Sequence, residues 1–227
     1  MDLVSLQLVE PKIYVLEMNT NIINLEVAAQ IGHAIDIMKQ KNDAHVLIIK
    51  SAAPDFCQGF DAEYLNSISG KSKSQLANEI YNIYKNYNKN SELTIPVLCC
   101  LSGSVMNAGL NLALSSDWRV ASRESCLSFI NKNNTVDSSV MMSHSLQEFI
   151  GRGKSFNMIF NYDNKKSNVL EAYKQGIVQE LVANPGQLMD IALAKARIIA
   201  SAPLKGINHS LNLMRIPYDN STLMKEA

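Results

Sequence analysis

The chain has 227 residues, 47% of them hydrophobic, and its 21 basic residues balance its 21 acidic residues. A neutral chain lacks the basic surface that attracts nucleic acids and anionic membranes, so we expect neither as a partner. Apolar runs fall short of the roughly 20 residues that span a bilayer. The four cysteines lack metal-ligand spacing. We therefore expect a cytoplasmic protein with reduced thiols, a core domain over residues 1–202 and a short helical segment over 203–227.

Hydrophobic periodicity predicts a chain that alternates between strands and helices. In the first half we expect a β-hairpin over residues 3–9 and 13–18, a helix over 25–39 and a strand over 45–50. A helix capped by Asp61, a helix over 76–88 and a buried strand over 95–101 follow. In the second half we expect a helix from 107, strands over 118–121 and 126–130, and a helix over 140–150. Two more helices end at residues 160 and 174. A strand over 177–182 and helices over 185–200 and from 203 complete the pattern. This alternation is typical of an α/β fold.

Two stretches stand out because each leads from a strand through small residues into a helix. In the first, FCQGFD, Gly59 can adopt a backbone conformation that aims the next amide, that of Phe60, into a cavity. In the second, Asn107-Ala108-Gly109 begins a helix shortly after a buried strand. The first amides of a helix lack partners within it, so this stretch predicts a place to hold developing negative charge.

Together the two stretches resemble the signature segments of the crotonase superfamily, the enoyl-CoA hydratase/isomerase family. The first has the family's form F-C-x-G-x-D, and the second matches the family in register at Pro96, Val97, Gly103, Gly109, Leu112, Ala113, Asp117, Arg119 and Ala121. The resemblance covers about residues 3–214. It implies a crotonase-like (ClpP/crotonase) spiral of ββα units with C-terminal helices, assembled as a homotrimer or hexamer.

The resemblance also implies a chemistry. Family members bind an acyl thioester and stabilise its enolate or oxyanion between two backbone amides. By motif position these amides belong here to Phe60 and Ala108, where Ala108 replaces the middle glycine of the family's triple glycine. The segment Phe56-Cys57-Gln58-Gly59 would contact the thioester or its pantetheine arm. No permanent cofactor is implied, and CoA or phosphopantetheine would carry the substrate.

The main departure from the family lies in the proton-handling residues. Hydratases of the family use two glutamates, and their positions fall here on Asn111 and on or near Asn131. An amide side chain does not transfer protons, so ordinary hydration is not expected. Asp137, in the loop that follows, could serve as a substitute acid or nucleophile, although capping of the next helix is the favoured role. His144, in that helix, could face either the pocket or the surface.

A tyrosine-rich helix corresponds to one that borders the acyl pocket in the family. Tyr81, Tyr84 and Tyr87 stand at three-residue spacing over residues 76–88. Such spacing favours a packed helix face with solvated hydroxyl groups over a substrate clamp.

The leading hypothesis is thus an enzyme that acts on an acyl thioester through an enolate, by decarboxylation or double-bond isomerisation. Asp55 and Glu63 stand near positions where CoA-binding members often carry basic residues, so an acyl carrier protein, as in polyketide biosynthesis, is favoured as the carrier. A second hypothesis is a non-catalytic subunit that supports a catalytic homologue. A third is hydrolysis or substitution through Asp137.

Overall fold

In a computed structural model of the chain, residues 2–128, 139–160 and 167–215 are described. The strands are β1 (Val4–Glu10), β2 (Ile13–Met18), β3 (Val46–Ser51), β4 (Val97–Leu101), β5 (Ser104–Met106), β6 (Trp118–Ser122), β7 (Cys126–Ser128), β8 (Ser167–Asn168) and β9 (Glu180–Val182). The helices are α1 (Leu25–Lys39), α2 (Ala62–Ile68), α3 (Lys73–Tyr87), α4 (Ala108–Leu114), α5 (Ser139–Ile150), α6 (Arg152–Phe160), α7 (Val169–Lys174), α8 (Leu188–Ala200) and α9 (Leu204–Arg215). Short 3₁₀ turns cover Lys89–Glu92 and Pro185–Gln187.

The strands form two sheets. A six-stranded sheet has the order β1-β2-β3-β4-β6-β9, in which β1 pairs antiparallel with β2 and the later pairs are parallel. A three-stranded sheet has the order β5-β7-β8. The chain enters the small sheet at β5 directly after β4 ends, and this step places the helix α4 beside both sheets.

Both faces of the larger sheet are buried, as the continuous apolar runs of its parallel strands require. In β3, Leu47 and Ile49 face a core shared with α1, α3 and α4, whereas Val46 and Ile48 face a second core. The second core is closed by α8 through Leu188, Ala192, Ala196 and Ala200. The alternation of side chains along each strand therefore supplies both cores from one apolar sequence.

Several helices begin where polar side chains cap them. Asn24 accepts the amide of Val27 at the start of α1, with an N···O distance of 3.0 Å. Asp61 accepts the amide of Glu63 at 2.9 Å, which confirms the predicted cap of α2. Ser72 forms a capping box with Gln75 at the start of α3. Each cap satisfies an amide that the first helical turn leaves without a partner.

The helix α9 packs against the core. Ile207 and Leu211 are buried, and Arg215 forms a forked ion pair with Asp117, whose carboxylate also accepts the amide of Val97 at 2.7 Å. Across the ranges that the structure describes, no helix has the length and apolar character needed to cross a lipid bilayer.

Candidate active site

The FCQGFD segment runs alongside the strand β5. The amide of Cys57 donates to the carbonyl oxygen of Ser104 at 3.1 Å, and the amide of Met106 donates to the carbonyl oxygen of Cys57 at 2.8 Å. A parallel bridge joins Cys57 to Val105. These bonds fix the first signature segment against the strand that leads directly into α4.

Two glycines allow the two segments to touch. Gly59 has φ of +104°, and a Cβ placed on it would lie 3.0 Å from Cβ of Asn107. A Cβ placed on Gly109 would lie 2.3 Å from Cβ of Cys57 and 2.8 Å from its carbonyl oxygen. A side chain at either position would separate the segments. The contact therefore brings together the residues that precede the two predicted amide donors.

Both predicted donors have free amides. The carbonyl of Gly59 accepts from Ile23 at 2.8 Å and the amide of Asp61 donates to Ile23 at 2.9 Å, while the amide of Phe60 between them meets no acceptor among the described residues. Ala108 is the first residue of α4, and its amide likewise has no acceptor in the described ranges. Two unsatisfied N–H groups on adjacent segments form a potential oxyanion hole.

Asn107 adopts a conformation that favours glycine. Its φ is +47° and its ψ is −114°, and its side chain forms no capping hydrogen bond to α4. An L-residue in such a region carries strain of about 1–3 kcal/mol. The family pattern has glycine here, so the chain keeps the backbone geometry of the triple glycine with a less suitable residue.

Asn111, at the first predicted glutamate position, is buried and faces a phenol. Its Nδ2 donates to the hydroxyl oxygen of Tyr87 at 3.4 Å, and both side chains are almost fully enclosed. Burial raises the pKa of Tyr87 above its ordinary value. The prediction of solvated tyrosine hydroxyls is therefore wrong for Tyr87, although it holds for the exposed Tyr81. Tyr87 is the last residue of α3, and its hydroxyl reaches Asn111 on α4.

The predicted thioester-binding segment presents mainly its backbone. Phe56 and Cys57 have buried side chains, and burial raises the pKa of the Cys57 thiol to about 12. A thiol with this pKa stays protonated near neutrality and is a poor nucleophile. Gln58 is exposed and donates to Asp55 at 2.6 Å, and Asp55 also accepts the amide of Ser104 at 2.6 Å. Asp55 thereby braces the segment against β5.

A buried arginine supports the far end of α4. The guanidinium of Arg119 donates to the carbonyl oxygens of Ala113 at 3.1 Å and Ser116 at 2.5 Å, and to that of Ile177 at 2.5 Å. It also lies 4.4 Å from the ring centre of Phe149. Burial lowers its pKa to about 10. A cation that binds the last carbonyls of a helix stabilises that end, so Arg119 fixes the position of α4.

The structure does not describe the side chains of the remaining predicted residues. Asn131 and Asp137 are outside the described residues. His144 lies on α5, and its side chain is not among those described. Of the predicted catalytic set, the structure thus places the segments of Phe60 and Ala108 in contact, with Asn111 three residues after Ala108 on α4. The sequence predicted Tyr87 only as part of a packed helix face, and its contact with Asn111 was not predicted.

A separate cleft of about 690 Å³ lies on the α8 face of the larger sheet. Its walls include Lys50, Cys100, Glu124 and Met189. Neither free amide is among its lining residues, so it is distinct from the site between the two segments. Within the described residues, no group of three or more His, Cys, Asp or Glu side chains is placed to hold a metal ion.

Comparison with known proteins shows the family of the chain. The sequence profile of the enoyl-CoA hydratase/isomerase family matches residues 12–226. The chain belongs to this family, the crotonase superfamily. One relative is a probable mitochondrial enoyl-CoA hydratase 2 of Arabidopsis thaliana, 24% identical over 79% of this chain and 58% of its own length. Another is a short-chain enoyl-CoA hydratase of Clostridium acetobutylicum, 24% identical over 81% of this chain and 69% of its own length. The chain thus spans little more than half of the Arabidopsis relative.

Solved structures of the family share the fold. The crystal structure of an enoyl-CoA hydratase from Bacillus anthracis superposes with a TM-score of 0.88 at 20% identity, covering 98% of this chain and 87% of its own. A monofunctional enoyl-CoA isomerase from M. smegmatis superposes with a TM-score of 0.75 at 17% identity, covering 94% of this chain and 92% of its own. The crotonase-like α/β fold predicted from the two segments is confirmed.

Proposed function

We propose that this crotonase-family protein is an enzyme that acts on an acyl thioester through an enolate, by decarboxylation or double-bond isomerisation. The observation that carries the proposal is the pair of free amides of Phe60 and Ala108 on touching segments. Two such donors, fixed before the reaction, stabilise an oxygen that gains negative charge. A thioester carbonyl gains this charge when it becomes an enolate, whichever bond breaks to form it.

The residues that the sequence places at the family's two acid positions favour decarboxylation over hydration. Asn111 occupies the first acid position, and Asn131 falls at or near the second. Hydration needs a group that activates water, and an amide side chain does not exchange protons for this purpose. Loss of carbon dioxide from a β-carboxy thioester needs no base, because the electron pair of the breaking C–C bond forms the enolate directly.

The carrier of the acyl group is CoA or phosphopantetheine. The named relatives are enoyl-CoA enzymes, which supports a thioester of this kind. Asp55 accepts one hydrogen bond from the side chain of Gln58 and one from the amide of Ser104, so a carboxylate stands at the edge of the proposed thioester segment. Fixed negative charge disfavours the phosphates of CoA's nucleotide, whereas a pantetheine arm on a carrier protein lacks that nucleotide. We therefore propose an acyl carrier protein as the donor, as in polyketide biosynthesis, and the family's homotrimer or hexamer as the assembly.

The test is mass spectrometry of the purified protein with a panel of thioesters. Enoyl, malonyl-type and other β-carboxy acyl groups are each presented on CoA and on a phosphopantetheinylated carrier protein. The proposal predicts loss of carbon dioxide from a β-carboxy substrate, or migration of a double bond in an enoyl substrate, with the carrier form preferred. Efficient hydration of a crotonyl thioester by the native protein would contradict the argument from Asn111.

A further inference from the structure

The hydroxyl group of Tyr87 is buried and donates to no acceptor among the described residues. Its oxygen accepts a hydrogen bond from Nδ2 of Asn111 at 3.4 Å, and the residue is only 1% exposed. A phenol can donate one hydrogen as well as accept. In the described part of the chain, no acceptor receives that hydrogen. The hydroxyl has a hydrogen-bond partner in Asn111, and its own hydrogen stays available to a ligand.

This hydroxyl contacts the helix that begins with one of the two free amides. Asn111 is three residues after Ala108 in α4, and residues at this spacing share one face of a helix. Because Asn111 contacts the hydroxyl of Tyr87, the phenol stands beside the same face of α4. The phenol thus contacts Asn111, the residue at the position of the first family glutamate, on the helix that begins with Ala108.

Tyr87 is held rigidly where it stands. Its helix packs closely on α1, since a Cβ on Gly32 would lie 2.8 Å from Oδ1 of Asn86. The residues after α3 are tied to α1 as well, with Nζ of Lys89 2.7 Å from the carboxylate of Asp36. The ring of Tyr84 meets that of Tyr87 edge to face at 5.4 Å between centroids. A donor on such a scaffold needs no reorganisation when a ligand binds.

The surroundings keep the phenol protonated, and one hydrogen bond opposes part of the effect of burial. Burial raises the pKa of Tyr87, so the neutral phenol persists at physiological pH. Asn111 donates towards the phenol oxygen, which leaves the hydroxyl hydrogen directed away from Asn111 and would stabilise a transient phenolate.

We propose that Tyr87 is the residue that protonates the α-carbon of the enolate, positioned by Asn111; this inference rests on the proposed function. In the decarboxylation, the C–C bond to the carboxylate breaks, its electron pair forms the thioester enolate and carbon dioxide leaves. The α-carbon then takes the proton of Tyr87 and forms a new C–H bond. Water returns a proton to the tyrosinate before the next turnover.

The experiment compares wild type with Tyr87→Phe and with the matched control Tyr84→Phe, which removes a hydroxyl one turn earlier on the same helix. The substrate is an α-methyl β-carboxy thioester in D₂O, so that the product carries one deuterium at a stereogenic α-carbon. For wild type and the control we expect one stereoisomer at similar rates. For Tyr87→Phe we expect turnover to fall by about 100-fold and the product to be racemic at that carbon.

A purely structural role of the hydroxyl would not change the stereochemistry of the product. If Tyr87→Phe keeps both the rate and the single stereoisomer, the inference is wrong while the proposed function stands. If wild type neither releases carbon dioxide nor shifts a double bond in any thioester, the proposed function fails and the inference fails with it; if wild type only shifts double bonds, the inference alone is wrong. Should Tyr87→Phe fold poorly, Asn111→Asp provides the second variant. The new carboxylate would accept a hydrogen bond from the hydroxyl of Tyr87, so we expect a loss of turnover with unchanged thioester affinity. Unchanged turnover would overturn the inference.

Discussion

Gly109 lies directly against Cys57, and no side chain fits between them. A Cβ on Gly109 would lie 2.3 Å from Cβ of Cys57 and 2.8 Å from its sulfur atom. Gly109 follows Ala108, while Cys57 is in the segment that ends at Phe60. This contact therefore sets the separation of the two amides on which the proposed chemistry depends.

We expect Gly109→Ala to destabilise the protein by about 1–3 kcal/mol, because the new methyl group must push Cys57 away. Turnover should fall by at least about 10-fold, since displaced oxyanion donors lose most of their effect. The control is Gly206→Ala in α9, where a Cβ would meet nothing within 4 Å. In this control we expect the free energy of unfolding to rise by about 0.5–1 kcal/mol, because alanine favours a helix more than glycine does. Urea unfolding of both variants measures these changes. Equal stabilisation of the two variants would show that Gly109 is not tightly packed against Cys57.

Replacing Asn107 with glycine should stabilise the chain. The conformation of Asn107, with φ of +47°, is strained for an L-residue and unstrained for glycine. Its side chain caps no amide of α4, so little is lost on its removal. We expect the free energy of unfolding to rise by about 1 kcal/mol in Asn107→Gly. Asn107→Ala, which removes the same polar group but keeps a Cβ, serves as the control and should show no such gain.

Restoring two carboxylates should create a hydratase. In the double variant Asn111→Glu and Asn131→Glu, each amide is replaced by a group that can exchange protons with water. We expect hydration of a crotonyl thioester to rise by about 100-fold or more, measured by loss of enoyl absorbance. The pair Asn111→Gln and Asn131→Gln has the same length without the charge and should leave hydration at the wild-type level. Equal rates in the two double variants would show that the assigned register is wrong.

The stability of the protein should fall below about pH 6.5 because of one buried histidine. Burial lowers the pKa of His45, and the charge of Lys12 adds to this effect. The unfolded chain then binds more protons than the folded one as the pH drops through the ordinary histidine value, so acid favours unfolding. His45→Gln should flatten the dependence of the melting temperature between pH 8 and pH 5. The exposed His33→Gln is the control and should follow wild type.

The larger elements follow from local sequence patterns. The strand over 13–18 and the helix over 25–39 have the predicted bounds, and Asp61 caps α2 as predicted. Each is long enough for its apolar period to be counted, or begins at a residue whose side chain satisfies a free amide. The small sheet was not predicted, because β5 and β8 have three and two residues, too few to show alternation.

The site could be predicted only in part. The backbone positions of Phe60 and Ala108 followed from a motif resemblance, since glycine spacing constrains the main chain. Tyr87 was not assigned, because its contact with Asn111 joins residues on two helices, and no local pattern encodes which face of α3 meets α4. The strain at Asn107 was also invisible, because backbone conformation at a single residue depends on the packing of Gly59 against it.

The central claim is that the amides of Phe60 and Ala108 polarise a thioester carbonyl. Isotope-edited difference infrared spectroscopy tests it most directly, with an unreactive acyl thioester that carries ¹³C at the carbonyl carbon. Two donors on the oxygen weaken the C=O bond, so the account predicts that the carbonyl stretch of the bound ligand shifts to lower frequency than in water. The shift should shrink in Gly109→Ala and persist in Gly206→Ala. A bound thioester whose carbonyl stretch equals that of the free ligand in water would contradict the account.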